Sequence, residues 1–438
     1  MSLSVVMCTY NGASRHLAEQ LDSIFSQTLL PAELIVQDDG STDNTMDLLH
    51  DYAAKAPEGM EMRVFRNEKQ MGINANFFSA MRRAKGDLIA VSDQDDIWMP
   101  TKLEEQAAAM ADPHMMMCVC RSVPFSESGA EVRYDPRRPN CNLIRLFYAS
   151  MMGHCQMLRR TLLDYIPSET EHPDIYRRTC YDVMTATAAA ALDAICLIDC
   201  VLVRQRRYAE AATYVGVDAH RVRQADNALY MVWYGMCHWH KVKPWMRQHF
   251  AARLTFIEWV WRHEKAGKLD VRDGVTTNNP VYADALKLLH AECGTSPFSL
   301  LSLMRMYVKY RHVLFYTYEK DPVALLRALM HPFMQVYNYR YRNLRDAQCL
   351  KRCIQRNRIV EVFDGESDAV ACSTDAIGER MLPERLLVFS CSIRSFSPYL
   401  HLPDKLPYKA WNSPAMYGEN ESEPFILFQN KRLGYIVA

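Results

Sequence analysis

Neither G-x-G-x-x-G nor G-x-x-x-x-G-K-[ST] occurs in this chain, and glycine itself is scarce, with 16 in 438 residues. A phosphate held by a glycine-rich loop at a helix start is therefore excluded. Net charge is also lacking: 51 Lys and Arg cancel 51 Asp and Glu, so no global field draws the protein to nucleic acid or an anionic surface, and any such attraction is local. The 14 cysteines have no regular spacing. "CVC" (Cys118, Cys120) and "CLKRC" (Cys349, Cys353) lack the second half of a structural zinc site and read as packing residues. The opening "MSLSVVMCTYNG" has none of the basic region, apolar core and cleavage site of an export signal. That predicts a reducing cytoplasm, with the inner face of the membrane as the alternative placement. The most apolar window, "MTATAAAALDAICLIDCVLV", is interrupted by Asp193 and Asp199, which makes it a poor membrane span. No internal repeat or low-complexity tract is evident. What remains, at 49% hydrophobic and 23% charged residues, is a globular chain of two or three domains.

The first hundred residues alternate strand and helix. "LSVVMC", "ELIVQ", "EMRVF" and "DLIAVS" are short apolar runs of the buried-strand kind. Between them, Leu17, Leu21, Ile24 and Phe25, then Met46, Leu49, Tyr52 and Ala53, fall at helical spacing. The pattern predicts an α/β fold with a mostly parallel sheet. Ligands of such sheets bind beyond the carboxyl ends of the strands. Those ends carry Thr9, Tyr10 and Asn11, then Asp38 and Asp39, then Asn67, and finally "SDQDDIW" with Asp93, Asp95 and Asp96.

One acidic turn after a strand is ordinary turn and cap chemistry. Four polar strand ends on one edge form a composite pocket, and crowded carboxylates without Lys or Arg suit Mg²⁺ or Mn²⁺. A diphosphate there would be neutralised by a cation on Asp95, with Asp93 shared between the cation and a ribose hydroxyl. Asp39 could accept the imide N–H of a uracil or thymine ring. The expected ligand is a pyrimidine nucleoside diphosphate carrying a transferable group.

The segments "VVMCTYNGASRHLAEQLDSIFSQTLLPAELIVQDDGSTDNT" and "SDQDDIWMPTKLE" together resemble the donor half of a family-2 glycosyltransferase with the GT-A fold, of the rhamnosyltransferase-like subgroup whose strand end reads D-Q-D-D. The likeness covers residues 3 to 110 and, more loosely, extends to about 215. It implies a metal-dependent inverting transferase that uses Mn²⁺ or Mg²⁺ and moves a sugar, rhamnose being one candidate. The donor would be UDP- or dTDP-linked, and the acceptor a glycan or lipid-linked precursor of a surface polysaccharide. Carried over residue by residue, Thr9, Tyr10, Asn11 and Asp39 hold the nucleotide, Asp93 and Asp95 serve nucleotide and metal, Asp96 caps or braces the next turn, and Asn76 lies near the diphosphate. Asp182, in "RRTCYDVMTATAAAAL", stands at a helix start where the family has its general base. An Asp in a first helical turn is also favoured by capping and the helix dipole alone.

The chain departs from its relatives where Tyr181-Asp182-Val183 replaces His-Asp-Trp and Arg204-Gln205-Arg206 replaces Arg-Gln-His. Tyr181, Arg204 and Arg206 are the candidate acceptor or phosphate contacts. His154, in "GHC", reads as a structural hydrogen-bond donor. These departures keep a second possibility open, a nucleotide-sugar-binding or assembly subunit with little turnover. A metal-dependent nucleotidyltransferase is a third, although "CTYNGAS" supplies no basic nucleotide loop.

The transferase region is placed at residues 1–215, with a donor half to 110 and an acceptor half from 111. An aromatic-rich helical region follows at 216–358, in which Pro244 predicts a helix break, and a small β-rich or mixed module occupies 359–438. The stretch 340–358 carries Arg340, Arg342, Arg345, Lys351, Arg352, Arg356 and Arg358 against Asp346. It reads equally as a solvated helix face or as a contact for anionic lipid head groups or a diphosphate-linked acceptor. Nucleic acid is not expected as a partner, since no binding module accompanies the basic residues.

Overall fold

The computed structural model describes residues 1–13, 16–126, 140–207, 236–237, 239–265, 280–294, 296–314 and 320–334, with five short strands between residues 362 and 437. Chain contacts divide it into two units, Met1–Val336 and Tyr337–Ala438.

In the first unit the four apolar runs form strands β1 (Leu3–Thr9), β2 (Glu33–Asp38), β3 (Glu61–Arg66) and β4 (Leu88–Ser92), separated by helices α1 (Leu17–Phe25), α2 (Thr45–Ala54) and α3 (Ile73–Arg83). β1 lies parallel to both β2 and β4, and β2 lies parallel to β3. Val5, Val6, Met7, Leu34, Ile35, Val36, Ile89, Ala90 and Val91 have no solvent exposure. Such continuous apolar runs are what a parallel strand covered on both faces requires. The expected α/β fold with a mostly parallel sheet is present.

The short β5 (Ile97–Trp98) and helix α4 (Lys102–Ala109) follow. The sheet is then extended by β6 (Met117–Phe125), β7 (Gln156–Arg159) and β8 (Ile195–Arg206), in the order β3-β2-β1-β4-β7-β6-β8-β5. β7 enters antiparallel to both β4 and β6. Between β6 and β8 the chain also forms α5 (Leu143–Leu146), a 3₁₀ turn at Gly153–Cys155, α6 (Pro173–Arg178) and α7 (Tyr181–Ala191). The nearly all-alanine body of α7 lies buried.

Helices α8 (Trp239–Lys265), α9 (Pro280–Cys293), α10 (Pro297–Lys309), α11 (Arg311–Leu314) and α12 (Asp321–Met334) complete the unit. α8 runs through Pro244 rather than breaking there. Pro244 is the sixth residue of the helix, which therefore continues past it at the cost of one backbone hydrogen bond. A buried polar knot ties these helices to the sheet domain: Glu292 of α9, 1% exposed, accepts from Tyr148 Oη (2.8 Å), Lys243 Nζ (3.1 Å) and Tyr307 Oη. Among the described residues no helix is long and apolar enough to cross a membrane.

In the second unit, β9 (Val362–Asp364) pairs antiparallel with β10 (Ser367–Val370), and β11 (Ala410–Trp411), β12 (Leu427–Asn430) and β13 (Tyr435–Val437) form a three-stranded antiparallel sheet. The basic stretch 340–358 lies outside the described residues.

Candidate active site

The loops after β1, β2 and β4 are laced together by side chains that satisfy backbone groups. Asn11 adopts φ +49, a left-handed conformation that Asn tolerates better than most residues. Its Oδ1 accepts from Thr42 N at 2.8 Å while its own N–H donates to Ser41 Oγ at 2.8 Å. Gln94, the residue between the acids of D-Q-D-D, accepts from Tyr10 N with Oε1 (2.9 Å) and donates to Tyr10 O with Nε2 (3.2 Å). Gly12 is required beside it, because a Cβ there would lie 2.7 Å from Gln94 Oε1.

Asp38 and Asp39 divide the work at the end of β2. Asp38 is buried and accepts from Thr9 Oγ1, Gly40 N, Ser41 N and Ser41 Oγ, so Thr9 is held within this turn. Asp39 accepts from Asn67 Nδ2 (2.9 Å), Met71 N (2.7 Å) and Gly72 N (3.0 Å). A carboxylate offers about four acceptor positions, which leaves room for one further donor. Asn76 faces inward: its Nδ2 donates to Gln37 O (3.0 Å) and its Oδ1 accepts from Asn67 Nδ2 (2.8 Å). Its side chain, 3% exposed, braces α3 against β2, and a direct diphosphate contact by this group does not fit the arrangement.

The turn after β4 brings together a different pair of acids from the one the sequence suggests. Oxygens of Asp93 and Asp96 and a nitrogen of His154 lie within 4.8 Å of one another, and Asp95 is not part of that group. The chain bends at Gln94 and Asp95, between the two acids whose carboxyls converge on His154. His154 Nδ1 is 3.1 Å from Asp93 Oδ2 and 3.2 Å from Asp96 Oδ2. Burial pulls the His154 pKa down, but Asp96 and Asp93 outweigh it and raise the value to about 9. Burial and the neighbouring Asp93 and Asp95 raise Asp96 to about 7, against the pull of His154 and the Arg206 amide. The oxygen-rich donor set suits a hard divalent cation.

The surroundings hold this cluster in place. Buried Lys102 lies over the Trp98 ring (3.7 Å) and donates to Gln106 Oε1 (2.7 Å), and Gln106 Nε2 donates to Cys155 O (2.9 Å), next to His154. On the other side Arg206 donates from its backbone N to Asp96 Oδ1 (3.0 Å), from Nε to Asp95 O (3.1 Å) and from its guanidinium to Glu19. Arg206 is 4% exposed and stacks over Phe125. It therefore supports the acidic turn instead of presenting a free guanidinium to a phosphate. Arg204, its exposed neighbour on β8, also lies over Phe125 (4.5 Å). Asp96 ties its own turn to β8 through the Arg206 amide, rather than capping the turn that follows it.

α7 carries Asp182 in its first turn, where Asp182 Oδ1 accepts from Val183 N (2.8 Å). Burial raises its pKa to about 6; hydrogen bonds from Cys180 and the Val183 amide oppose the rise, and the charge of Asp93 adds to it. The helix start is fixed from two sides. Asn74 of α3 donates to Tyr176 O and Thr179 O (both 2.9 Å) and accepts from Tyr181 N (2.7 Å). Gln156 of β7 donates to Asp182 O (2.9 Å) and accepts from Thr185 Oγ1 (2.7 Å). Tyr181 stacks on Phe77, with ring centroids 3.9 Å apart, and its hydroxyl fills the space beside Gly153.

Gln94, Asn74 and Gln156 escape the sequence reading, and His154, read there as a structural hydrogen-bond donor, is not placed beside Asp93 and Asp96 by it. Only Gln94 had a local signal, its place inside the acidic motif.

Residues 4–178 match the family profile described as "Glycosyl transferase family 2". The chain is 36% identical over 105 residues to an uncharacterized glycosyltransferase of Nostoc sp., covering 24% of this chain and 31% of that protein. It is 32% identical over 108 residues to the UDP-Glc:alpha-D-GlcNAc-diphosphoundecaprenol beta-1,3-glucosyltransferase WfgD of Escherichia coli, covering 25% and 40% respectively. The matched region thus spans less than half the length of these curated relatives. Among solved structures, S. aureus TarS 1-349 in complex with UDP-GlcNAc aligns at 17% identity and a TM-score of 0.40, covering 77% of this chain and 92% of that one.

Proposed function

Because residues 4–178 form a glycosyltransferase family 2 domain, we propose that this protein transfers a sugar from a pyrimidine nucleoside diphosphate to a hydroxyl of a glycan or lipid-linked acceptor, with inversion at the anomeric carbon. One observation carries the reading. The Tyr181 hydroxyl, at the start of the acceptor helix, lies beside Gly153, and the next residue, His154, lies 3.1 Å from Asp93 Oδ2, which supports one site shared by the acceptor helix and the donor edge of the sheet.

Asp182 takes the proton of the acceptor hydroxyl as that oxygen attacks the sugar from the side opposite the diphosphate. A pKa near 6 keeps it ionised at neutral pH yet basic enough to accept the proton. The buried Tyr181–Phe77 stack packs the start of α7 against α3 and so helps to hold Asp182 in place. Asp39, with one acceptor position left, receives the base imide. Thr9, Tyr10 and Asn11 shape the nucleotide pocket through the loops they lock, and Asp93 lies at the ribose and diphosphate. Asp93 and Asp96 would hold Mn²⁺ or Mg²⁺, which when bound stabilises negative charge on the departing diphosphate. Arg204 is the basic residue on β8 open to solvent, and it is the proposed acceptor or phosphate contact.

The donor is UDP- or dTDP-linked, and dTDP-rhamnose is one of the sugars to be screened. The diphosphoundecaprenol-linked acceptor for which the E. coli relative is named motivates testing diphosphate-lipid acceptors at the inner face of the membrane. The test is a thermal-shift screen of pyrimidine diphosphate sugars with Mn²⁺, followed by transfer assays on any stabilising donor. Transfer by the wild type, with loss of about 10²–10⁴ in turnover for Asp182→Asn at retained donor binding, is the expected result. Donor binding without hydrolysis or transfer to any acceptor would instead indicate a binding or assembly subunit.

A further inference from the structure

We propose that His154 is itself a ligand of the cation site, so that Asp93, Asp96 and His154 bind Mn²⁺ in the absence of any nucleotide. The inference rests on the transferase reading only for the use made of the cation; the binding itself is a property of these three side chains.

Topology brings them together. β7 runs antiparallel to β4, with Leu88 opposite Arg159, Ile89 opposite Leu158 and Ala90 opposite Met157. Continuing that register three residues past Ala90, and three back from Met157, sets Asp93 opposite His154. The 3₁₀ turn at Gly153–Cys155 keeps the imidazole at the sheet end, and the Gln106–Cys155 hydrogen bond anchors its backbone.

The spacing is that of ligands around one ion. His154 Nδ1 lies 3.1 Å from Asp93 Oδ2 and 3.2 Å from Asp96 Oδ2. Neighbouring ligands of an octahedral cation with bonds of about 2.1 Å are separated by about 3 Å. Asp96 Oδ2 supplies a second, independent observation: the residue is 2% exposed, yet this oxygen makes no hydrogen bond, the other oxygen being the one that accepts from Arg206 N. His154 meets the two carboxylates through Nδ1, the ring nitrogen that would bind the ion. Asp93 is the exposed member, with 39% of its side chain open, which leaves the ion a solvent-facing side for substrate oxygens. Imidazole in the donor set favours Mn²⁺ over Mg²⁺, which prefers oxygen ligands and keeps its waters.

A simple ion pair between His154 and the two acids would have the same spacing, so the deciding question is whether nitrogen binds the metal. The experiment titrates the full-length protein with Mn²⁺ alone, following affinity by calorimetry and ligand identity by pulsed electron paramagnetic resonance. One Mn²⁺ per chain with an imidazole-nitrogen coupling is expected, with Mg²⁺ competing weakly. His154→Gln should abolish the coupling and weaken Mn²⁺ binding about tenfold or more. The wild-type spectrum decides the matter even if that variant does not fold. No nucleotide-free binding, or bound Mn²⁺ without nitrogen coupling, would overturn the assignment. If that happens in a protein that still turns over a nucleotide sugar, the His154 ligand is lost and the transferase reading stands. Nitrogen coupling in a protein that turns over none would have the opposite consequence.

Discussion

If Asp182 is the general base, the acid side of the rate profile belongs to it, and its position follows from the environment of α7. Burial lifts the carboxyl to about 6. A base with that pKa is about nine-tenths ionised at pH 7 and about one-tenth at pH 5, so kcat/KM should fall about tenfold for each unit below pH 6. The ratio kcat/KM is the right quantity because it reports groups of the free enzyme. Substitution of Asp182 tests the assignment. Asp182→Asn should remove the limb from whatever activity is left. The same shift has a consequence for stability, with a sign opposite to that of a salt-bridged carboxylate. The folded protein holds the Asp182 proton up to about pH 6, whereas an unperturbed carboxyl loses it near 3.8. Between those values the folded state binds more protons, so this group's contribution to stability grows as pH falls through that window. A rate profile flat from pH 7 to pH 5, or a limb that survives unchanged in Asp182→Asn, would refute the assignment.

Three further outcomes test the supporting structure. A Cβ at Gly153 would stand 1.9 Å from Tyr181 Oη, and Tyr181 cannot retreat from its stack on Phe77; Gly153→Ala should therefore cost about 1–3 kcal/mol in denaturant unfolding, partly restored by adding Tyr181→Phe. Asn74→Ala removes all three hydrogen bonds between α3 and the approach to α7. It should lower stability by about 1–3 kcal/mol and reduce kcat more than it raises KM, and wild-type kinetics would show that Asp182 is positioned without it. Glu292→Ala leaves the Lys243 ammonium buried without its carboxylate. Urea unfolding should show a loss of about 3–5 kcal/mol, and an unchanged midpoint would show that the knot contributes little to holding the helices.

The donor half was largely legible before any coordinates. β1 to β4 lie within a residue or so of the runs "LSVVMC", "ELIVQ", "EMRVF" and "DLIAVS"; for β1, β2 and β4 this is because a strand buried on both faces must be apolar throughout, a local property, whereas β3 is a partly exposed edge strand. Their polar ends follow from the same logic, since a parallel sheet collects its carboxyl ends on one edge. Asp182 at a helix start was equally local. The roles within the edge were less accessible. Asp95 and Asp96 differ by one position in a turn, and only the bend at residues 94–95 decides which of them turns toward Asp93.

His154, Asn74 and Gln156 lay further out of reach. Each acts across a pairing of distant segments: His154 through the β4–β7 register, Asn74 across more than a hundred residues to Tyr181, and Gln156 from β7 to α7. Arg206 shows the reverse case, a residue whose chemistry suggested a ligand contact but whose burial beside Glu19 and Asp96 makes it a support. Local composition and periodicity determined where strands would run and which edge would be polar, because those depend on the neighbours along the chain. Which side chains meet at that edge, and with what charge, was decided by the tertiary structure, because antiparallel insertion of β7 and docking of α7 place together groups that no spacing along the chain relates.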